Sequence, residues 1–189
     1  MLRKHLRISI LFTIVSTLLL GVLYPLAATA FAHLLLHRQA DGSLITQDGK
    51  IVGSRLIGQN FTGAGYFHGR PSAAGNGYDA TSSGGSNLAQ SSAKLVARID
   101  ADVAHMRRSG EDVPLDLVTA SGSGLDPDIT LDAALFELPS IAKARGIGEE
   151  QLHAMVMAHL EPRALGLLGE PRINVLELNL ALDQAQPRP

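Results

Sequence analysis

The sequence comprises 189 residues, with 18 acidic and 16 basic side chains, no cysteine and no tryptophan. All 18 acidic residues follow residue 40, whereas three of the 16 basic residues, Arg3, Lys4 and Arg7, lie at the N-terminus. The rest of the chain therefore has 13 basic and 18 acidic residues, a net charge of −5. This charge disfavours nucleic-acid binding, which needs a clustered basic surface, and the missing cysteines exclude disulfides, thiolate catalysis and cysteine-ligated zinc.

An uncharged apolar segment is the first element of the chain. Residues 8–32 carry no charge over 25 positions, and a helix of that length covers a hydrocarbon core of ~30 Å at ~1.5 Å per residue. We therefore predict a transmembrane helix over 8–32, kinked at Pro25, whose ring removes one helical donor. A cleaved signal peptide is the alternative, because 28–30 reads Ala-Thr-Ala, but such signals have shorter apolar runs of about 7 to 15 residues.

Basic residues flank this segment unevenly. Three of them precede it, whereas Arg38 alone follows closely. Since short cytoplasmic segments carry the excess of basic residues, residues 1–7 are predicted to be cytoplasmic and 33–189 to lie outside. The outer part has the size of one ordinary domain.

A hairpin and a long loop follow the membrane segment. Strands over 43–47 and 50–56 are predicted on either side of Asp48-Gly49, because this dipeptide favours the two-residue type I′ turn. Segment 61–87 is rich in glycine, serine and asparagine and shows no hydrophobic period. Its aromatic residues and its Arg70-Pro71 pair are unusual for a flexible spacer, so we predict a long ordered loop.

The middle of the chain has a strong helical pattern. Apolar residues from 88 to 106 recur at three, four or seven positions and predict the main amphipathic helix, with Ile99 on its buried stripe and Gly110 as its stop. A strand is predicted over 115–120, ahead of a Gly-Ser turn.

Further helices are predicted after this turn. Thr130 is a candidate N-cap for a helix that closes at Gly146 and contains Pro139, which either kinks it or starts a second piece. Another helix is predicted over 149–160, and alternating leucines over 176–182 predict a half-buried strand. The fold class is therefore α+β, with one N-terminal transmembrane helix followed by a single periplasmic mixed α/β domain.

No motif in the sequence encodes catalysis by itself. A Gly-x4-Gly-Lys-Ser/Thr phosphate loop is missing, and Gly63 and Gly65 lack the third glycine of a dinucleotide fingerprint. Ser121 and Ser123 lie among glycines, yet neither stands in the Gly-x-Ser-x-Gly turn of a serine hydrolase. We predict no catalytic residue, and a hydrolase that uses one of these serines is an alternative.

The acidic and histidine residues do not form a metal-binding pattern. Asp126, Asp128 and Asp132 lack the glycine of a calcium-binding loop and are better placed to start and cap a helix. His153 and His159 are six residues apart and so do not share one helical face. We predict no metal site and no cofactor of the chain's own.

Several segments together resemble the C subunit of the bacterial potassium-transporting P-type ATPase, the Kdp system. They are Tyr24-Pro25, GSRLIGQNF at 53–61, YFHGRPSAAGNGYDATSSGGSNL at 66–88, TASGSGLDPDIT at 119–130, AKARG at 142–146 and NVLELNLALD at 174–183. The sequence departs from the family pattern in AQSSAKL at 89–95 and in Ser140, where arginine is usual.

The resemblance implies an accessory subunit of a potassium-uptake complex in the bacterial inner membrane. Its implied partners are a channel-like potassium-binding subunit, an ATP-hydrolysing P-type subunit and a small membrane subunit. ATP and potassium would be used by the complex, and this subunit would stabilise the assembly or assist ATP use. In agreement, the chain lacks the Asp-Lys-Thr-Gly-Thr phosphorylation motif and any potassium-filter sequence.

The glycine-rich loop is the candidate region for contact with a partner, because it combines backbone freedom with aromatic groups and a guanidinium. The candidate contact residues are Tyr66, Phe67, Arg70, Tyr78 and Asn87. The alternative function is a free-standing membrane-anchored periplasmic binding module that uses the same loop as its ligand site.

Overall fold

A computed structural model describes residues 1–107 and 111–186 of the chain. Residues of the described parts divide into two compact units, Met1–Ile45 and Thr46–Pro189. Gly110, the predicted end of the main amphipathic helix, lies outside the described residues.

The first unit consists mainly of one long apolar helix. It comprises α1 (Leu2–Leu18), a π-helical turn (Leu19–Leu23) and α2 (Tyr24–Ala40). The run from Leu2 to Ala40 is long and apolar enough to cross a membrane. None of the side chains in these three segments is buried, as lipid contact requires. These features indicate a membrane-anchored protein.

This helix departs from α-helical geometry at two places. The π-helical turn ends just before Pro25, whose missing N–H cannot bond the carbonyl four residues earlier. The irregularity predicted at Pro25 therefore takes the form of a wider turn. A second break, which the sequence does not predict, lies at Leu36 with φ −136° and ψ 40°.

The predicted hairpin follows this helix. Strands β1 (Leu44–Gln47) and β2 (Lys50–Ser54) form a two-stranded sheet. Asp48 and Gly49 both have positive φ, 51° and 74°, as a type I′ turn requires. The second strand ends two residues earlier than predicted.

Two elements after the glycine-rich loop differ from the prediction. Helix α3 (Ala93–Met106) begins five residues later than expected and contains no buried residue. The predicted strand over 115–120 is wrong, because the chain forms the short helix α4 (Leu115–Val118). This helix buries the adjacent residues Leu117 and Val118, whereas a strand would point them to opposite faces.

The remaining elements form a small sheet with helices packed on it. They are β3 (Asp128–Ile129), α5 (Leu131–Arg145), α6 (Glu149–Ala158), β4 (Leu160–Glu161), β5 (Arg172–Asn174) and α7 (Val175–Ala185). The strands pair antiparallel in the order β3-β5-β4. Mixed helix and sheet content confirms the α+β class.

The caps of α5 confirm the local sequence signals. The side chain of Thr130 accepts a hydrogen bond from the backbone N–H of Ala133, and Gly146 ends the helix with φ 68°. Pro139 lies inside α5 without dividing it. The next helix, α6, ends at Ala158, two residues before the predicted end.

The predicted strand over 176–182 is also wrong, because this segment belongs to helix α7. Asn174 caps the helix by accepting a hydrogen bond from the N–H of Glu177. The buried residues Val175, Leu178 and Leu182 recur at three and four positions, so they form one helical face. Leucine and alanine are good helix formers. The prediction was wrong because the leucines of this segment alternate with other residues, a pattern that is also typical of a strand.

Aliphatic side chains and one phenylalanine form the core. Its members come from the loop, α4, β3, β5 and the last three helices. They are Phe67, Leu117, Ile129, Ala133, Ala134, Leu138, Ile141, Ala142, Leu152, Val156, Ile173, Val175, Leu178 and Leu182.

Candidate functional site

The glycine-rich loop 61–87 is fixed to the domain at Phe67. This side chain is completely buried in the core. The Phe67 N–H donates to Oδ1 of Asn179 at 2.9 Å, and Nδ2 of Asn179 donates to the Phe67 carbonyl at 2.9 Å. One amide side chain of α7 therefore satisfies both backbone groups of a buried loop residue, which would otherwise be costly to bury.

A histidine–glutamate pair holds the next residue. Nδ1 of His68 lies 2.6 Å from Oε1 of Glu137 on α5, and the His68 N–H donates to Oε2 at 3.0 Å. The hydrogen bond and the negative charge of Glu137 raise the pKa of His68 above 6.5, although burial opposes this. His68 therefore stays protonated to a higher pH than an exposed histidine does.

A buried arginine braces the start of the loop. Arg145 of α5 donates from Nε to the Gly65 carbonyl at 2.7 Å and from Nη2 to Asp183 at 2.6 Å. Its guanidinium also stacks on the ring of Tyr66, 4.6 Å from the centroid. The Tyr66 hydroxyl donates to the same Asp183 at 2.8 Å. These contacts connect the loop with α5 and α7.

A second group of hydrogen bonds folds the loop on itself. The Ser72 hydroxyl donates to the Gly124 carbonyl at 2.6 Å and accepts from the N–H of Tyr78 at 2.7 Å. The Tyr78 hydroxyl donates to the Arg70 carbonyl at 2.6 Å. Burial raises the pKa of Tyr78 to about 12, and nearby carboxylates add to this effect, so the phenol stays protonated as a donor.

Arg70 borders a charged cleft of about 380 Å³. Its Nη1 donates to Asp126 at 3.0 Å and Nη2 approaches Thr119 at 3.4 Å, whereas its Nε is buried without a hydrogen-bond partner. On the other side, Arg172 pairs with Asp128 at 3.1 Å. Burial raises the pKa of Asp128, although Asn174 and Arg172 oppose this.

The five candidate contact residues therefore lie in different surroundings. Tyr66, Arg70 and Tyr78 are half-buried and hydrogen-bonded within the domain, and Asn87 is exposed at φ 51°. Only Phe67 has no exposed surface. Its side chain belongs to the core, so a direct contact with a partner would require this part of the domain to open. Partner contact stays a prediction for all five residues.

Neither serine of the glycine-rich turn has the surroundings of a nucleophile. The hydroxyls of Ser121 and Ser123 lie 3.1 Å apart and accept from the N–H groups of Gly124 and Leu125, at 3.0 and 3.1 Å. They stabilise the turn in the way such short polar side chains commonly do. Within 1–107 and 111–186, no three His, Cys, Asp or Glu side chains are grouped to hold a metal ion.

The sequence reasoning missed the residues that fix the loop from outside. The sequence pattern predicts a strand at Asn179 and no special role for Glu137, and it assigns Asp126 to metal binding or helix capping. The signal for Asn179 is that it is the one polar residue between Leu178 and Leu182. On α7 it falls on the buried face, beside Leu178, where an amide needs a partner.

Comparison with known proteins gives a match over nearly the whole chain. The family described as "KdpC: K+-transporting ATPase, c chain" matches residues 6–184. A "Potassium-transporting ATPase KdpC subunit" from Koribacter versatilis is 50% identical over 190 residues, covering 100% of this chain and 98% of the relative. Those of Acidobacterium capsulatum and Methylobacterium nodulans are both 53% identical, covering 96% of this chain and 98% and 97% of the relatives.

Proposed function

The chain belongs to the family of the K+-transporting ATPase c chain, and we propose that it is a non-catalytic accessory subunit of an ATP-driven potassium-uptake complex. The observation that carries this proposal is the extent of the match, 6–184, which includes the apolar helix and the domain alike. Relatives of the same length carry the name of an ATPase subunit.

In this proposal, the subunit stabilises the complex and assists ATP use by another chain. The partners are a channel-like potassium-binding subunit, an ATP-hydrolysing P-type subunit and a small membrane subunit. ATP and potassium act at the level of the complex, and this chain brings no cofactor of its own.

In the proposed complex, the domain of this chain lies in the periplasm and its N-terminus lies in the cytoplasm. The three basic residues before the apolar run favour this orientation over the reverse. The bacterial inner membrane, by this proposal, holds the helix over 8–32, and the domain over 33–189 reaches its partners from outside.

The glycine-rich loop forms the proposed contact with the potassium-binding partner. Its hydrogen bonds to α5 and α7 hold it in one conformation, and such a preorganised surface binds with a smaller loss of entropy. The exposed or half-exposed residues Tyr66, Arg70, Tyr78 and Asn87 supply the polar and aromatic groups that such interfaces favour.

Co-purification tests the proposed assembly. The full chain, carrying an affinity tag and expressed with its neighbouring transport subunits at low potassium, should retain two large membrane proteins in mild detergent. ATPase activity of the retained complex should depend on potassium. Recovery of the chain alone, in lipid as well as in detergent, would instead support a free-standing binding module.

Arg70→Ala tests the contact surface. The ion pair of Arg70 with Asp126 is half-exposed, 30% and 31% for the two side chains, so its loss should cost the fold only about 0 to 1 kcal/mol. We expect the full chain to remain folded while the yield of intact complex and its potassium-stimulated ATPase activity fall.

Arg98→Ala is the matched control for this experiment, because Arg98 has the same 30% exposure and also pairs with an aspartate, Asp102. It should leave complex yield unchanged. Equal loss of stability and of complex in Arg70→Ala would show that Arg70 only braces the loop. Normal yield and normal growth at limiting potassium would remove Arg70 from the interface.

A further inference from the structure

The connection between β4 and β5 exposes three leucines. The six residues 164–169 read Ala-Leu-Gly-Leu-Leu-Gly and carry no charge; we call them the leucine tip. Leu165, Leu167 and Leu168 are 91%, 81% and 63% exposed. Adjacent apolar side chains of this size usually mark a contact surface.

Backbone hydrogen bonds close the leucine tip on itself. Ala164 and Leu168 each donate an N–H to the carbonyl of the other, at 2.8 and 2.9 Å. The N–H groups of Gly166 and Leu167 donate to the carbonyls of Arg163 and Ala164. Several of the donors at the tip are therefore satisfied without a partner molecule, and the apolar side chains are held outward by a defined turn.

An ion pair closes the base of the tip. Arg163 and Glu170 flank the uncharged residues, and the Nη2 of the arginine pairs with the Glu170 carboxylate. The two opposite charges leave the tip and its base without net charge. This charge distribution fits insertion into a neutral interface rather than attraction to an anionic or a basic surface.

The bilayer surface lies within reach of the domain. After residue 32, eight residues of α2 and three connecting residues lead to β1 at Leu44. At ~1.5 Å per helical and ~3.5 Å per extended residue, this connection spans at most about 23 Å. A domain tethered this closely meets lipid at a high effective concentration.

Lipid is the apolar surrounding that the membrane anchor of this chain supplies. Apolar surroundings at the membrane offer no hydrogen-bond partners, so a segment that enters them must satisfy its backbone internally. The tip does so at Ala164 and Leu168, and it presents leucines without any polar side chain between them.

We propose that the leucine tip inserts into the interface of the bilayer that holds the membrane helix. Leu165, Leu167 and Leu168 enter the boundary between headgroups and acyl chains, and the Arg163–Glu170 pair remains at headgroup level. The domain is thereby attached to the membrane at a second point. This inference needs the membrane anchor and does not depend on the accessory role proposed above.

Depth-dependent quenching in a bilayer tests the proposal. Because the chain has no cysteine, Leu167→Cys and the exposed control Glu150→Cys each give a single labelling position in the full chain. Each is labelled with an environment-sensitive fluorophore and reconstituted in nanodiscs of phosphatidylethanolamine and phosphatidylglycerol, with or without lipids that carry a nitroxide high on the acyl chain. The same pair is measured in the purified complex.

We expect the label at position 167 to lose most of its fluorescence with nitroxide lipids, and the label at position 150 to keep it, both alone and in the complex. Adding Leu165→Ser and Leu168→Ser should restore the fluorescence at position 167. Equal behaviour of the two labels would overturn the proposal. Quenching in the free chain that disappears in the complex would also overturn it, because a partner protein would then cover the tip.

Discussion

At the scale of single residues, the loop depends on side chains that come from distant helices. His68 bonds to Glu137 and Phe67 bonds to Asn179, across separations of 69 and 112 residues. These bonds fix the conformation of a segment that forms no helix or strand of its own. A loop fixed in this way loses little entropy on binding a partner.

The pair of His68 and Glu137 makes the stability of the domain depend on pH. Since the pKa of His68 is raised from 6.5 in the fold, its stabilising effect is complete below that unfolded value and is lost as the pH rises through the folded pKa. The Tm of the full chain in detergent should therefore fall as the pH rises above about 6.5. His68→Gln should remove this part of the pH dependence.

His153→Gln is the matched control for the pH experiment, because His153 is exposed on α6. It should keep the pH profile of the unaltered chain. If His68→Gln also retains the full pH dependence, the effect arises from other groups and the pair does not link stability to pH.

Local signals at individual residues predicted more than the long-range contacts did. Asp48-Gly49, Thr130 and Gly146 have the predicted turn and capping roles, because each depends on backbone geometry within a few residues. The partners of Arg70 and Phe67 could not be predicted, because no periodicity in one sequence indicates which distant side chain meets them.

At the scale of elements, the two wrong strands have a common cause. Leucines alternate with other residues over 176–182, and 115–120 is a short mixed run, Leu-Asp-Leu-Val-Thr-Ala. Over so short a length, neither pattern separates a strand from a helix with one buried face. Tertiary contacts decide the outcome. The core receives Leu117 from one segment and Leu178 from the other.

The helices also differ in how many core residues they supply. The sequence predicts that α3 contributes most to the core, but α7 contributes more than α3 does. Helix α3, predicted as the main amphipathic helix, contains no buried residue, and Ile99 is only half-buried. Helix α7 buries Leu178 completely. Leu178→Ala should therefore cost about 2 to 5 kcal/mol of unfolding free energy, whereas Ile99→Ala should cost about 1 kcal/mol.

Urea unfolding of both variants in the full chain measures this difference directly. The substitutions remove aliphatic side chains of equal size, so they act as controls for each other. An equal loss in the two variants, or a larger one for Ile99→Ala, would mean that α3 is as firmly packed as α7. The charged substitution Ile99→Asp should likewise be milder than expected for a buried position.

At the scale of the whole molecule, the proposed orientation can be tested on spheroplasts. Protease added outside spheroplasts should digest the chain beyond about residue 38, because the basic residues before the apolar run favour a cytoplasmic N-terminus. N-terminal sequencing of the mature protein should still find residues 1–7, since the apolar run is retained as an anchor.

A protected domain together with a cleaved N-terminus would contradict the orientation. Loss of residues 1–7 from the mature chain would favour the signal-peptide alternative instead. A cytoplasmic marker protein that stays intact in the same spheroplasts is the control for membrane integrity.

The hydrogen bonds between Phe67 and Asn179 also determine when the domain can fold during its synthesis. The loop leaves the ribosome 112 residues before the amide that satisfies its backbone. Strand β3 likewise cannot pair until β5 has been synthesised, because β5 is its only partner among the described strands. The domain therefore cannot complete its fold while the chain is growing, and a nascent chain stopped before α7 should remain open to protease although its membrane helix is already in place.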